Sequence, residues 1–97
     1  MTTIKNIKGT SAETIYHLLK TDFTDYVNSK LGSNLAVEFA HVSDIVNVSF
    51  PEVIENTAFT LTVTDEEIEI SNNATDAEYN TELLEENLIA FVTEAIG

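Results

Sequence analysis

Phe59-Thr-Leu-Thr-Val-Thr64 and, two residues later, Glu67-Ile-Glu-Ile-Ser71 alternate strictly between apolar and polar side chains. A period of two marks a strand with one buried face. With Asp65-Glu66 as the turn, Val63 faces Ile68 and Leu61 faces Ile70 on the inner side. Thr64 then faces Glu67 and Thr62 faces Glu69 on the outer side. The register closes without a mismatch, so the stretch predicts a β-hairpin.

Working outward, Leu35-Ala-Val-Glu-Phe-Ala-His-Val42 and Ile45-Val-Asn-Val-Ser-Phe50 flank Ser43-Asp44 in the same way. A two-residue turn there sets Val37 against Phe50, Phe39 against Val48 and His41 against Val46. Pro51 lacks a ladder donor and ends the second strand. Towards the N-terminus, Ile15, Leu18, Leu19, Phe23, Tyr26, Val27 and Leu31 recur at helical spacing. Thr10-Ser-Ala-Glu13 reads as a capping box and Gly32 as a helix stop, so the helix is expected over about 11–31. Towards the C-terminus, Asn72-Asn73 breaks the strand and Thr75-Asp-Ala-Glu78 is a second capping box. Tyr79, Leu83, Leu84, Leu88, Phe91, Val92, Ala95 and Ile96 carry a helix onward. Residues 1–9 read as a strand at Ile4–Ile7 or as an arm.

The expected fold is therefore a single α+β domain over residues 1–97, in the order α-β-β-β-β-α. A four-stranded antiparallel sheet of two hairpins would carry both helices on one face. The chain of 97 residues fits one domain, and 43% apolar residues suffice for one modest core. Cysteine is absent, which excludes disulfides and thiolate metal sites. Met1-Thr-Thr-Ile-Lys-Asn-Ile-Lys8 lacks the apolar run of a secretory signal, and no run is long enough to span a membrane. The expected location is the cytoplasm.

Charge dominates the remaining information. There are 17 Asp plus Glu against 4 Lys and no Arg, a formal net charge of -13. All four lysines (Lys5, Lys8, Lys20 and Lys30) precede Leu31, and the 67 residues from Leu31 onward hold 14 acids and no Lys or Arg. Such a chain repels nucleic acid and anionic membranes and attracts basic protein surfaces. The ordinary apolar content and the clear periods separate it from a disordered acidic tail.

Little points to catalysis. The glycines are Gly9, Gly32 and Gly97, so there is no phosphate-cradling loop, and no serine sits in a nucleophile-elbow setting. His17 and His41 fall on different elements and read as structural or surface residues. Asp65-Glu66-Glu67 with Glu69 lacks the spaced ligands of a calcium loop. No enzyme activity, cofactor or specific metal site is expected.

The acids themselves form the strongest constellation. Glu78, Glu82, Glu85 and Glu86 share the helix face opposite its apolar stripe and span about 12 Å at 1.5 Å per residue. One DNA strand carries three to four phosphates over that length, at about one per 3.4 Å. Asp65, Glu66, Glu67 and Glu69 add a second group at the hairpin tip and edge, and Glu52 and Glu55 lie on the connector. An acidic helix N-terminus is favoured by its dipole, which accounts for Asp76 and Glu78. It does not account for Glu82, Glu85 and Glu86, where like charges at i,i+4 are destabilising and no lysine is interleaved.

In size and charge the chain resembles the small acidic DNA-mimic proteins made by phages and mobile elements. The resemblance covers composition and carries no shared motif. It implies a non-enzymatic inhibitor of a basic DNA-binding protein: an HU-type nucleoid protein, a restriction or CRISPR nuclease, a repair glycosylase or RNA polymerase. The partner-binding residues would be Glu78, Glu82, Glu85, Glu86, Asp65, Glu66, Glu67 and Glu69, with no direct binding of nucleic acid. Two other readings fit a small acidic chain. One is an immunity protein for a nuclease toxin, with Tyr16, Tyr26 and Tyr79 as candidate anchors. The other is a secretion or assembly chaperone. Ala36, Ala40, Val42 and Ile45, on the outer face of the first hairpin, suggest a homodimer interface.

Overall fold

The computed structural model describes residues 2–54, 56–74 and 81–96. The chain is α+β, with an antiparallel sheet and helices near both ends of the sequence. The strands are β1 (Thr2–Lys5), β2 (Glu38–Val42), β3 (Ile45–Ser49), β4 (Phe59–Val63) and β5 (Glu67–Asn72). They lie in the order β1-β5-β4-β3-β2, each neighbouring pair antiparallel.

Both hairpins have the registers their alternation dictates. Phe39 pairs with Val48 and His41 with Val46, while Leu61 pairs with Ile70, Thr62 with Glu69 and Val63 with Ile68. The Thr64 N–H donates to the Glu67 carbonyl at 2.9 Å, closing the Asp65-Glu66 turn. Ser43 takes a φ of 52°, the positive value that a type II′ hairpin turn wants at its first central residue. The expected Val37–Phe50 pair falls one step beyond the ladder, because β2 starts at Glu38 and β3 ends at Ser49.

Among the described residues the sheet has five strands, not the expected four. The extra one, β1, is Thr2–Lys5 rather than Ile4–Ile7, and it covers the far edge of β5 with Ile4 opposite Ile68 and Lys5 opposite Glu67. Four residues are too few to display a period of two, and the partner is some sixty residues away with no local turn to announce it. Asn6 then fixes the end of β1. Its side chain is almost fully buried, donates to the Thr10 and Thr64 carbonyls at 2.9 and 2.8 Å, and accepts from the Thr10 N–H.

With the Thr10 backbone held in that way, the helix cap moves one residue on from its expected place. Ser11 is the N-cap and accepts from the Thr14 N–H at 3.2 Å. The first helical stretch is α1 (Ala12–Leu18), a π-helical turn (Leu19–Phe23) and α2 (Thr24–Leu31). Ile15, Leu19, Phe23 and Val27 are all buried, with Leu31 packed behind them. Five positions spaced four apart would drift about 160° around an unbroken α-helix. The wider π turn takes up about one residue and turns Phe23 and Val27 back to the sheet. Gly32, at φ 63°, ends α2 in the left-handed region. Asn28 secures the exit by bonding both the N–H and the C=O of Leu35.

The last helix, α3 (Thr81–Ile96), buries Leu84, Leu88, Val92 and Ile96. The proposed capping box at Thr75–Glu78 lies outside the described residues. Inner-face residues of the sheet, among them Val46, Val48, Leu61, Ile68 and Ile70, are fully buried beneath the helices. Phe23 joins the layers, with ring centroids 5.4 Å from Phe91 and 6.3 Å from Phe39. The other sheet face has no cover among the described residues.

Candidate functional site: an acidic ridge around strand β1

The period-two alternation of β5 sends Glu67 and Glu69 to the open face of the sheet, opposite the buried Ile68 and Ile70. Lys5 and Thr3 of β1 stand beside them in register. The inner face of the same edge lies against α3, where a carboxylate oxygen of Glu85 accepts from the Thr2 hydroxyl at 3.5 Å. Glu82 and Glu86 are exposed and Glu85 half-buried. Asp65 and Glu66 are exposed at the β4–β5 tip, which Asn6 ties to β1 through its backbone N–H and the Glu66 carbonyl.

The acids proposed from sequence therefore do not form one flat array. Glu85 on the helix side and Glu67 and Glu69 on the sheet side flank the β1 edge, with Asp65 and Glu66 at its end, while Glu82 and Glu86 are exposed on the same helix as Glu85. Glu78, like Glu55 of the connector, lies outside the described residues. Sequence reasoning missed Lys5 as a neighbour, because the acid-rich stretch receives it from a strand at the other end of the chain.

The remaining candidates have structural employment. The His41 ring stacks on Tyr16 at 5.6 Å and its Nε2 lies 2.8 Å from the Ser43 carbonyl. His17 is exposed, 4.0 Å from Glu13. Tyr26 packs against Phe91 at 5.3 Å and Tyr16 against His41, and both are half-buried. Tyr79 lies outside the described residues. Open clefts of about 460, 320 and 330 Å³ among the described residues have neither histidine in their lining. Among the described residues no group of three or more acids and histidines is placed to hold a metal ion. No helix among them is long and apolar enough to cross a membrane.

Comparison with protein-family models, with curated proteins and with solved structures finds no match for this chain. What fold and surface define is a class: a two-layer α+β domain with an open sheet face and an acidic edge.

Proposed function

We propose that this protein is a non-enzymatic DNA mimic, whose acidic ridge occupies the nucleic-acid groove of a basic DNA-binding protein and inhibits it. The observation that carries the reading is the placement of Glu67 and Glu69 on one flank of the β1–β5 edge and of Glu85 on the other, with Glu82 and Glu86 exposed near it on the same helix. A duplex likewise offers a row of phosphates on each side of a groove, and a basic cleft that clasps DNA would meet carboxylates on both walls. Binding replaces the counterions of the basic cleft, so affinity falls steeply with salt. The implied targets are an abundant HU-type nucleoid protein or a host nuclease, and the setting is a phage or mobile element subverting its host's cytoplasm.

Displacement of a labelled DNA duplex from a purified HU-type protein tests this reading. The wild-type chain is expected to release the duplex. Neutralising Glu67, Glu69, Glu82, Glu85 and Glu86 to Gln should raise the concentration needed by at least tenfold. The log–log salt slope should fall by about one unit for each carboxylate engaged. Equal displacement by the neutralised variant overturns the proposed ridge.

The readings as an immunity protein or a chaperone gain no specific support. Tyr16 stacks on His41 and Tyr26 packs edge-on against Phe91. The exposed large apolar side chains (Ile7, Val42, Ile45 and Leu83) are scattered over three regions of the chain.

A further inference from the structure

We infer that two copies of this chain pair through the free edges of β2, antiparallel and centred on Ala40, to form one continuous sheet. The hydrogen-bond alternation fixes which groups are available. The Val63 N–H donates to the Asp44 carbonyl at 2.8 Å, which assigns Asp44, Val46 and Val48 of β3 to β4. Ile45, Asn47 and Ser49 then bond to Val42, Ala40 and Glu38. The backbone N–H and C=O of Phe39 and His41 are thereby left pointing away from the sheet. A two-fold axis at Ala40 sets Phe39 opposite His41 of the second copy and the reverse, so all four residues exchange backbone bonds. Glu38 comes opposite the second copy's Val42, which is 66% exposed in the single chain.

Three features make this edge the one that pairs. It lacks the devices that blunt an edge: β2 has no proline, no lysine and an unbroken register with β3. The opposite edge, β1, is shorter, carries Lys5 and lies against Glu85 of α3. Charge favours β2 as well. Its one acid, Glu38, lines a cleft with Lys20. The two Glu38 side chains would stand four residue steps apart, about 13 Å, beyond the Debye length of about 8 Å at physiological salt.

The pairing does not depend on DNA mimicry, but its consequence does. The two-fold axis lies perpendicular to the sheet, so both open faces look the same way. Seven strand spacings separate one β5 from the other, roughly 34 Å at about 4.8 Å each. That matches the separation of about 34–36 Å, one helical turn, between half-sites read by two-fold DNA-binding proteins. Given the mimic reading, the partner is a symmetric dimer that meets one acidic ridge with each half.

The chain has no cysteine, so a single engineered one reports the pairing directly. Ala40→Cys is expected to give a disulfide-linked dimer under mild oxidation, because unbonded antiparallel pairs bring Cα atoms to about 4.5 Å. Thr62→Cys, on the open sheet face, should stay uncrosslinked. Wild-type protein in sedimentation equilibrium should move from the mass of one chain towards two as concentration rises. Ala40→Lys should remain a single chain with unchanged far-UV dichroism, although it lowers the overall repulsion. A single-chain mass throughout, or crosslinking of Thr62→Cys as readily as Ala40→Cys, overturns the inference. None of these readouts involves a basic partner, so failure of the dimer and failure of the mimic reading are separately visible.

Discussion

Asn6 is a buried polar residue that ties the end of β1 to two other segments of the chain. Its amide satisfies both carbonyl partners and the Thr10 N–H, and its backbone reaches the β4–β5 tip. Removing the side chain strands three backbone groups that are only partly open to water, and buried unsatisfied groups are costly. Asn6→Ala is expected to destabilise the fold by about 2–3 kcal/mol, measured as a lower urea midpoint. A change below about 0.5 kcal/mol, the size expected of an ordinary surface substitution, would show that β1 is held by its ladder alone. Nothing in Lys-Asn-Ile-Lys announces this role. An asparagine between lysines has the composition of a loop, and its partners at Thr10 and Thr64 appear only once the chain is folded.

At the scale of elements, legibility followed locality. The two hairpins could be read because cross-strand partners sit a few residues apart, so alternation and turn length fix the register together. Gly32 as a helix stop has the same local character. β1 escaped the topology because its pairing is long-range and its four residues cannot display a period. The π turn escaped because apolar residues at 15, 19, 23 and 27 match a helical stripe at a glance, and the extra residue shows only in the accumulated drift. Thr21 lies in that turn and is exposed. Deleting it should convert the turn to α-helix while both flanks keep their buried faces. The variant is expected to stay folded, with a thermal midpoint within a few degrees of wild type. Deleting the exposed Ala90 from α3, which has no such turn, should rotate Val92 and Ile96 by about 100° and unfold the protein. Equal loss of folded structure in the two deletions, followed by circular dichroism, would contradict this account of the π turn.

At the scale of the whole molecule, a net charge of -13 on 97 residues sets the protein against itself. Self-repulsion destabilises the compact state and is screened by ions. The thermal midpoint should therefore rise by several degrees between low and physiological ionic strength; a flat or falling midpoint would mean that local pairs already balance the charge. The acidity of the candidate site was legible in the composition, and its geometry was not. Sequence spacing places Glu82, Glu85 and Glu86 together but says nothing of which strand lies beneath them. The hairpin alternation sends Glu67 and Glu69 outward without saying that β1 will lie beside them, bringing Lys5. In the proposed function this acidity is a binding surface shaped for a basic groove. Affinity capture from nuclease-treated bacterial lysate, eluted with a salt gradient and then with duplex DNA, tests it most directly. Basic DNA-binding proteins are expected to be retained, to leave at moderate salt and to be released by the duplex. Retention of nothing basic, or of a partner that withstands both high salt and DNA, would contradict it.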